Sequence, residues 1–314
     1  MSVRENWRKT AAAIALAAAL LMSAAAAAEG GERLGYKPPE SHDSQKAILY
    51  FRYLDSAYLG QEIREVPVPY PESPEMALVQ ALLDEPEGEG GNLRRLFPAG
   101  TEVLSVLQEG SQLFVTFNSA VMDALPGESL DTEKGTQEAR LRRELAMASL
   151  ANTLTQFGDI RSIQVLVYSP ASTTASMRLS NRYYLEDNDA LPDPLLRDES
   201  RIITPGAAAR LPFGLWKSRS WGQLSAFVYS SPGEAANGGG WLQPDTLPQL
   251  TDFKLSEGRV SPDGATAVVV LAAAFLGSDG QEATVDGIPV ALRLQDGIWK
   301  ISPESVRFIT EAAR

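Results

Sequence analysis

The chain has 314 residues, with 28 lysines and arginines against 40 aspartates and glutamates, one histidine and no cysteine. A net charge of −12 repels phosphate backbones and anionic lipid surfaces, which speaks against nucleic acid as a partner. The missing thiols exclude disulfide staples, thiolate metal sites and cysteine nucleophiles, and the single histidine, His42, lies in a polar stretch that suits a solvated linker better than a Ser-His-Asp or zinc-hydrolase arrangement. No cofactor is expected.

Arg4, Arg8 and Lys9 form a basic head, and Ala11 to Met22 follow as an uncharged apolar run. A dozen helical residues at about 1.5 Å each fall short of the roughly 30 Å of a bilayer core, so the run reads as a signal peptide's apolar segment, not as a lasting anchor. Five alanines, Ala24 to Ala28, then precede Glu29, and residues 1–28 are read as a signal peptide cleaved after Ala28. Leu21-Met22-Ser23-Ala24 is similar to the box before a lipid-modified cysteine in bacterial lipoproteins, but alanine stands where the thiol would be. Removing residues 1–28 leaves 25 basic and 39 acidic side chains, a net charge of −14.

Residues 29–45 lack periodicity and read as a linker. Ala47 to Leu54 and Leu59 to Val68 read as two strands of a hairpin. Ser73-Pro74-Glu75 is a helix start, with serine as cap and proline at the first helical position, and Pro86 ends that helix. The glycines of 86–91 lie among glutamates with no lysine following, which rules out a phosphate loop. Thr101 to Gln108 and Gln112 to Asn118 flank a turn, residues 119–136 read as a polar excursion, and Gln137 to Phe157 reads as the longest helix, capped by Gly158. Ser162 to Tyr168 supplies a further strand. The expected fold class is α+β, with strands paired in hairpins and two helices packed on the sheet.

Several of these segments, in this order, carry a resemblance. The aromatic strand, the helix ending Ala81-Leu82-Leu83-Asp84-Glu85-Pro86, the turn Leu96-Phe97-Pro98-Ala99-Gly100-Thr101, the strand Phe114-Val115-Thr116-Phe117-Asn118 and the helix end Leu150 to Phe157 resemble the GerM domain of sporulation and spore-germination proteins. The resemblance spans about residues 46–180. It implies an envelope module, often on a lipoprotein, with no known catalytic residue.

Residues 181–211 read as a second linker. Its acidic run Glu186-Asp187-Asn188-Asp189 lacks the spacing and glycine of an EF-hand and reads as a solvated loop, so no metal site is expected. From 212 to 314 a β-rich unit is expected: a helical piece around Trp216, Trp221, Leu224 and Phe227, then an antiparallel meander over Leu250–Leu255, Ala265–Leu276, Ala283–Leu294 and Ile298–Ile301, with Glu-Gly and Asp-Gly turns between segments. Its end is similar to the closing hairpin of cystatin-like or nuclear-transport-factor-like cones, and a degenerate second GerM-like unit is the alternative.

The functional expectation is an exported, non-enzymatic envelope protein that binds peptidoglycan or an envelope protein. The alternatives are a carboxylate-dependent wall hydrolase and a regulator of an envelope sensor or enzyme. Asn152, Thr153 and Thr155 at the end of the long helix are the candidate ligand contacts, unless they serve backbone carbonyls and neighbouring loops. Trp216, Trp221, Trp241 and Trp299 would stack on sugars if exposed, but tryptophan at this density is more often core.

Overall fold

The computed structural model describes residues 43–88, 91–168, 176–230, 247–276, 280 and 282–313. The segments read as signal peptide and most of the first linker, together with His42 and Trp241, lie outside the described residues.

Strands β1 (Asp43–Tyr53) and β2 (Leu59–Val68) form the expected antiparallel hairpin, pairing Ile48 with Ile63 and Arg52 with Leu59. Helix α1 (Pro74–Leu83) starts where the Ser-Pro-Glu signal places it: Ser73 Oγ accepts the Met76 amide at 3.2 Å, and proline at the first position gives up no intrahelical bond. A two-residue strand, β3 (Leu93–Arg94), then pairs with the end of β1 and completes the sheet β2-β1-β3.

The second sheet departs from the hairpin-only expectation. β4 (Val103–Glu109) and β5 (Gln112–Phe117) pair antiparallel around Gly110, but β6 (Ser162–Tyr168) joins β5 in parallel, and β7 (Ser176–Arg178) closes the order β4-β5-β6-β7. A parallel pair needs a long crossover, and the chain between β5 and β6 supplies it as helix α2 (Glu133–Leu154). That helix begins four residues before Gln137, because Thr132 caps it by accepting the Gly135 amide at 3.0 Å. It ends at Leu154, with Thr155 in the cap position, so Gly158 lies beyond the helix and does not cap it.

α2 lies along β1 at the edge that β3 leaves unpaired. Gln156 accepts the Ile48 amide at 2.9 Å and donates to the Ile48 carbonyl at 3.0 Å, Thr153 Oγ1 accepts the Tyr50 amide at 3.3 Å, and Ser149 donates to the Tyr50 carbonyl. A strand edge that would otherwise offer bare backbone groups is thus covered by side chains of α2 and of Gln156 just past its end.

The third sheet follows helices α3 (Pro205–Lys217, capped by Thr204) and α4 (Trp221–Leu224). It contains β8 (Gln249–Leu255), β9 (Arg259–Val260), β10 (Thr266–Leu276), β11 (Glu282–Gln295) and β12 (Ile298–Ile301), all antiparallel, in the order β12-β11-β10-β8 with β9 on β10. Along β10 buried residues alternate with more open ones, the mark of a sheet packed on one face. The Asp296-Gly297 turn has both residues at positive φ, 52° and 75°, as a two-residue hairpin of this type requires. Trp216 and Trp299 are core residues; Trp216 stacks on Phe213 and donates its ring N–H to the Pro248 carbonyl at 3.0 Å. A final helix, α5 (Pro303–Ala312), was not anticipated.

Candidate functional site

The end of the β1-β2 hairpin, the approach to β3 and the excursion before α2 converge on a cleft of about 420 Å³. Four arginines line it, Arg52, Arg94, Arg95 and Arg142, together with the carboxylates Asp55 and Glu85. Leu93, Leu96 and Phe97, each almost fully buried, add an apolar lining. A cluster of arginines is notable on a chain of net charge −12.

The arginines differ in how far the fold engages them. Arg52 is 4% exposed; its Nε donates to the Ser56 carbonyl at 2.8 Å, its Nη2 to the Asp55 carbonyl at 3.1 Å and its Nη1 to Glu138 at 2.5 Å. It thereby holds the β1-β2 turn, where Leu54 sits at φ 50°, in place under the cleft. Arg142 shares Glu138 at 2.9 Å and donates to the Pro126 carbonyl at 3.3 Å, tying α2 to the excursion that forms another wall. Arg95 meets Glu85 at 3.5 Å. Arg94 is exposed, and among the described residues no carboxylate lies within 4.0 Å of it; the same holds of Asp55 for a cationic partner. Partial burial pulls the pKa of Glu138 upward, but hydrogen bonds and charge from Arg52 and Arg142 outweigh this and hold the carboxyl below the usual glutamate range.

Two contacts brace the cleft from behind. In the excursion, Glu128 forms a buried ion pair with Arg143 of α2 at 2.8 Å, and Arg143 lies over the Tyr183 ring. In the third sheet, a Cβ added to Gly297 would fall 2.3 Å from Leu93 Cδ1, and one added to Gly60 would fall 2.6 Å from Leu93 Cδ2. Leu93, a lining residue, is therefore clasped between two glycines that leave room only for hydrogen.

Asn152, Thr153 and Thr155 lie away from this cleft. Asn152 is fully buried, donates to the Asp198 carbonyl at 2.9 Å and accepts the Asp198 amide at 2.8 Å, pairing with that backbone as a strand would. Thr153, also fully buried, serves the edge of β1, and Thr155 donates to the Ala151 carbonyl one turn earlier at 2.6 Å. In the acidic run, Asp189 pairs with Arg182, and among the described residues no group of three or more His, Asp or Glu side chains is placed to hold a metal. The arginine cluster escaped the sequence reading. The signals were an arginine inside the apolar run of β1 and the Arg94-Arg95 pair amid acidic residues.

Among the described residues no helix is long and apolar enough to cross a membrane. No curated protein matches the chain. Among solved structures, the tandem GerMN domains of the sporulation protein GerM from Bacillus subtilis are 18% identical, with 50% of this chain and 52% of that one covered and a TM-score of 0.28. The match thus spans about half of the tandem structure's length. A Clostridium perfringens protein assigned as a lipoprotein is 19% identical over 49% of this chain and 87% of that one, with a TM-score of 0.27. The first GerMN domain of Bacillus subtilis GerM is 17% identical over 46% and 96%, with a TM-score of 0.25. Residues 48–168, which supply every lining residue of the cleft, match the family described as Germane, sporulation and spore germination, and this part of the chain is a GerM-like segment.

Proposed function

We propose that the chain is an exported envelope protein that acts by binding rather than catalysis, with residues 46–180 as the binding module and 212–314 as a second, β-rich unit. The observation that carries this reading is the arginine-lined cleft inside the GerM-like segment. Four arginines outnumber the two carboxylates Asp55 and Glu85 along its walls, and ion pairs of Arg52 and Arg142 with Glu138 and of Arg95 with Glu85 hold three of them in fixed positions, which favours recognition of a ligand that brings a carboxylate. The basic head and alanine-rich exit of residues 1–28 support export, and the absence of a cysteine at Ala24 supports release without a lipid. The ligand is then a wall component or an envelope protein. Pull-down of purified protein with insoluble peptidoglycan and with solubilised envelope extract tests this: enrichment in one of them is expected, and enrichment in neither would overturn it.

A further inference from the structure

Arg94 and Asp55 line the same cleft, carry opposite charge, and lack an ion-pair partner among the described residues, whereas the other lining arginines are held by carboxylates or carbonyls of the fold. A cleft with one such cation and one such anion is complementary to a ligand that brings both charges. A uniformly anionic polymer satisfies Arg94 but meets Asp55, Glu85 and the overall negative field of the chain. The volume of about 420 Å³ falls in the range of roughly 300–1,000 Å³ typical of small-ligand sites. Leu93, Leu96 and Phe97 also line the cleft but are almost fully buried, so the exposed charges of Arg94 and Asp55 dominate what a ligand meets.

We infer that this cleft binds a short zwitterionic peptide, its free carboxylate on Arg94 beside Arg95 and its free amine on Asp55, the chemistry of an uncrosslinked stem peptide of the bacterial wall. The inference rests on the reading of the chain as an envelope-binding protein and names the part of the envelope that is bound. Guanidinium groups meet a carboxylate through paired, charge-assisted hydrogen bonds, and the exposed carboxylate of Asp55 can accept charge-assisted hydrogen bonds from an ammonium, which acts as a compact point charge.

Calorimetric titration of the full chain with a synthetic stem pentapeptide carrying a free side-chain amine and a free C-terminal carboxylate tests it. The same titration is made with the C-terminal amide, the N-acetylated amine and inorganic polyphosphate. The free peptide is expected to bind, and each blocked peptide to bind more weakly by roughly tenfold or more. The Arg94→Gln variant is expected to lose the preference for the free carboxylate, and Asp55→Asn the preference for the free amine. Both positions are exposed, and the blocked peptides probe the same contacts without any substitution. Equal binding of free and blocked peptides, tighter binding of polyphosphate, or unchanged preferences in both variants would overturn the proposal. If intact peptidoglycan or envelope extract still enriches the protein, that failure leaves the envelope-binding reading standing; failure of both pull-downs removes the reading itself.

Discussion

Arg52 and Arg94 are direct partners in the β1-β3 ladder, like charges set opposite each other at the base of a cleft. Such a pair is destabilising, by about 0.2–1 kcal/mol for cross-strand neighbours, and Arg52 is already engaged by Glu138 and two carbonyls. Arg94→Gln is therefore expected to leave stability unchanged or raise it by up to about 1 kcal/mol. Arg52→Gln is expected to cost about 1.5–3 kcal/mol, because a charged hydrogen-bond donor to the β1-β2 turn is lost. Urea unfolding of the two variants side by side checks the contrast.

Acid should loosen the α2 side of the cleft. The pKa of Glu138 is lowered in the folded protein, so its contribution to stability is full above the ordinary glutamate value of 4.5 and is lost as the pH falls through the lowered folded value. Glu138→Gln is expected to flatten this part of the stability profile. Denaturant midpoints measured from pH 7 down to about pH 3, a span that brackets the ordinary carboxylate range, give the answer, and parallel profiles for parent and variant would refute it.

The Arg143–Glu128 pair is almost fully enclosed, with side-chain exposures of 8% and 2%. Removing one member strands the other charge, so Glu128→Gln is expected to destabilise by about 3–5 kcal/mol. Replacing both with apolar residues of similar size should recover much of the loss. Thermal unfolding of the single and double variants tests both statements.

At the covered edge of β1, Gln156→Ala leaves the Ile48 amide and carbonyl without their partner, and Thr153→Val does the same to the Tyr50 amide. An unsatisfied buried backbone group costs about 1–3 kcal/mol. Faster hydrogen exchange at the amides of residues 48 and 50 is the expected signature, with the β2 side of the sheet unaffected.

Much of this architecture was written in local signals. β2 was bounded by its apolar pattern and its prolines, and α1 by Ser73-Pro74-Glu75, because a cap, a preset φ and a breaker act within a few residues. The same signal recurs at Ser302-Pro303-Glu304, where it starts α5, a helix that the expected meander does not include. The parallel pairing of β5 and β6 was not local: it depends on where a 22-residue helix returns the chain. The roles of Asn152 and Thr153 were hidden for a similar reason, since their partners lie 46 and 103 residues away. The cleft was the least legible of all, because its arginines come from two strands, a loop and a helix, and only Arg94 and Arg95 are neighbours in the sequence.

The glycine clasp on Leu93 has a consequence for how this molecule can change over time. Gly297 belongs to a hairpin more than two hundred positions downstream, yet it sets how far the cleft wall can shift. A side chain at that turn would be resisted twice, by the positive φ of 75° and by the 2.3 Å approach to Leu93. The β11-β12 turn is therefore not an independent place for variation: a side chain there presses on Leu93 and changes the shape of the cleft, so a mutational scan of the hairpin scored for the proposed binding is expected to register its tip.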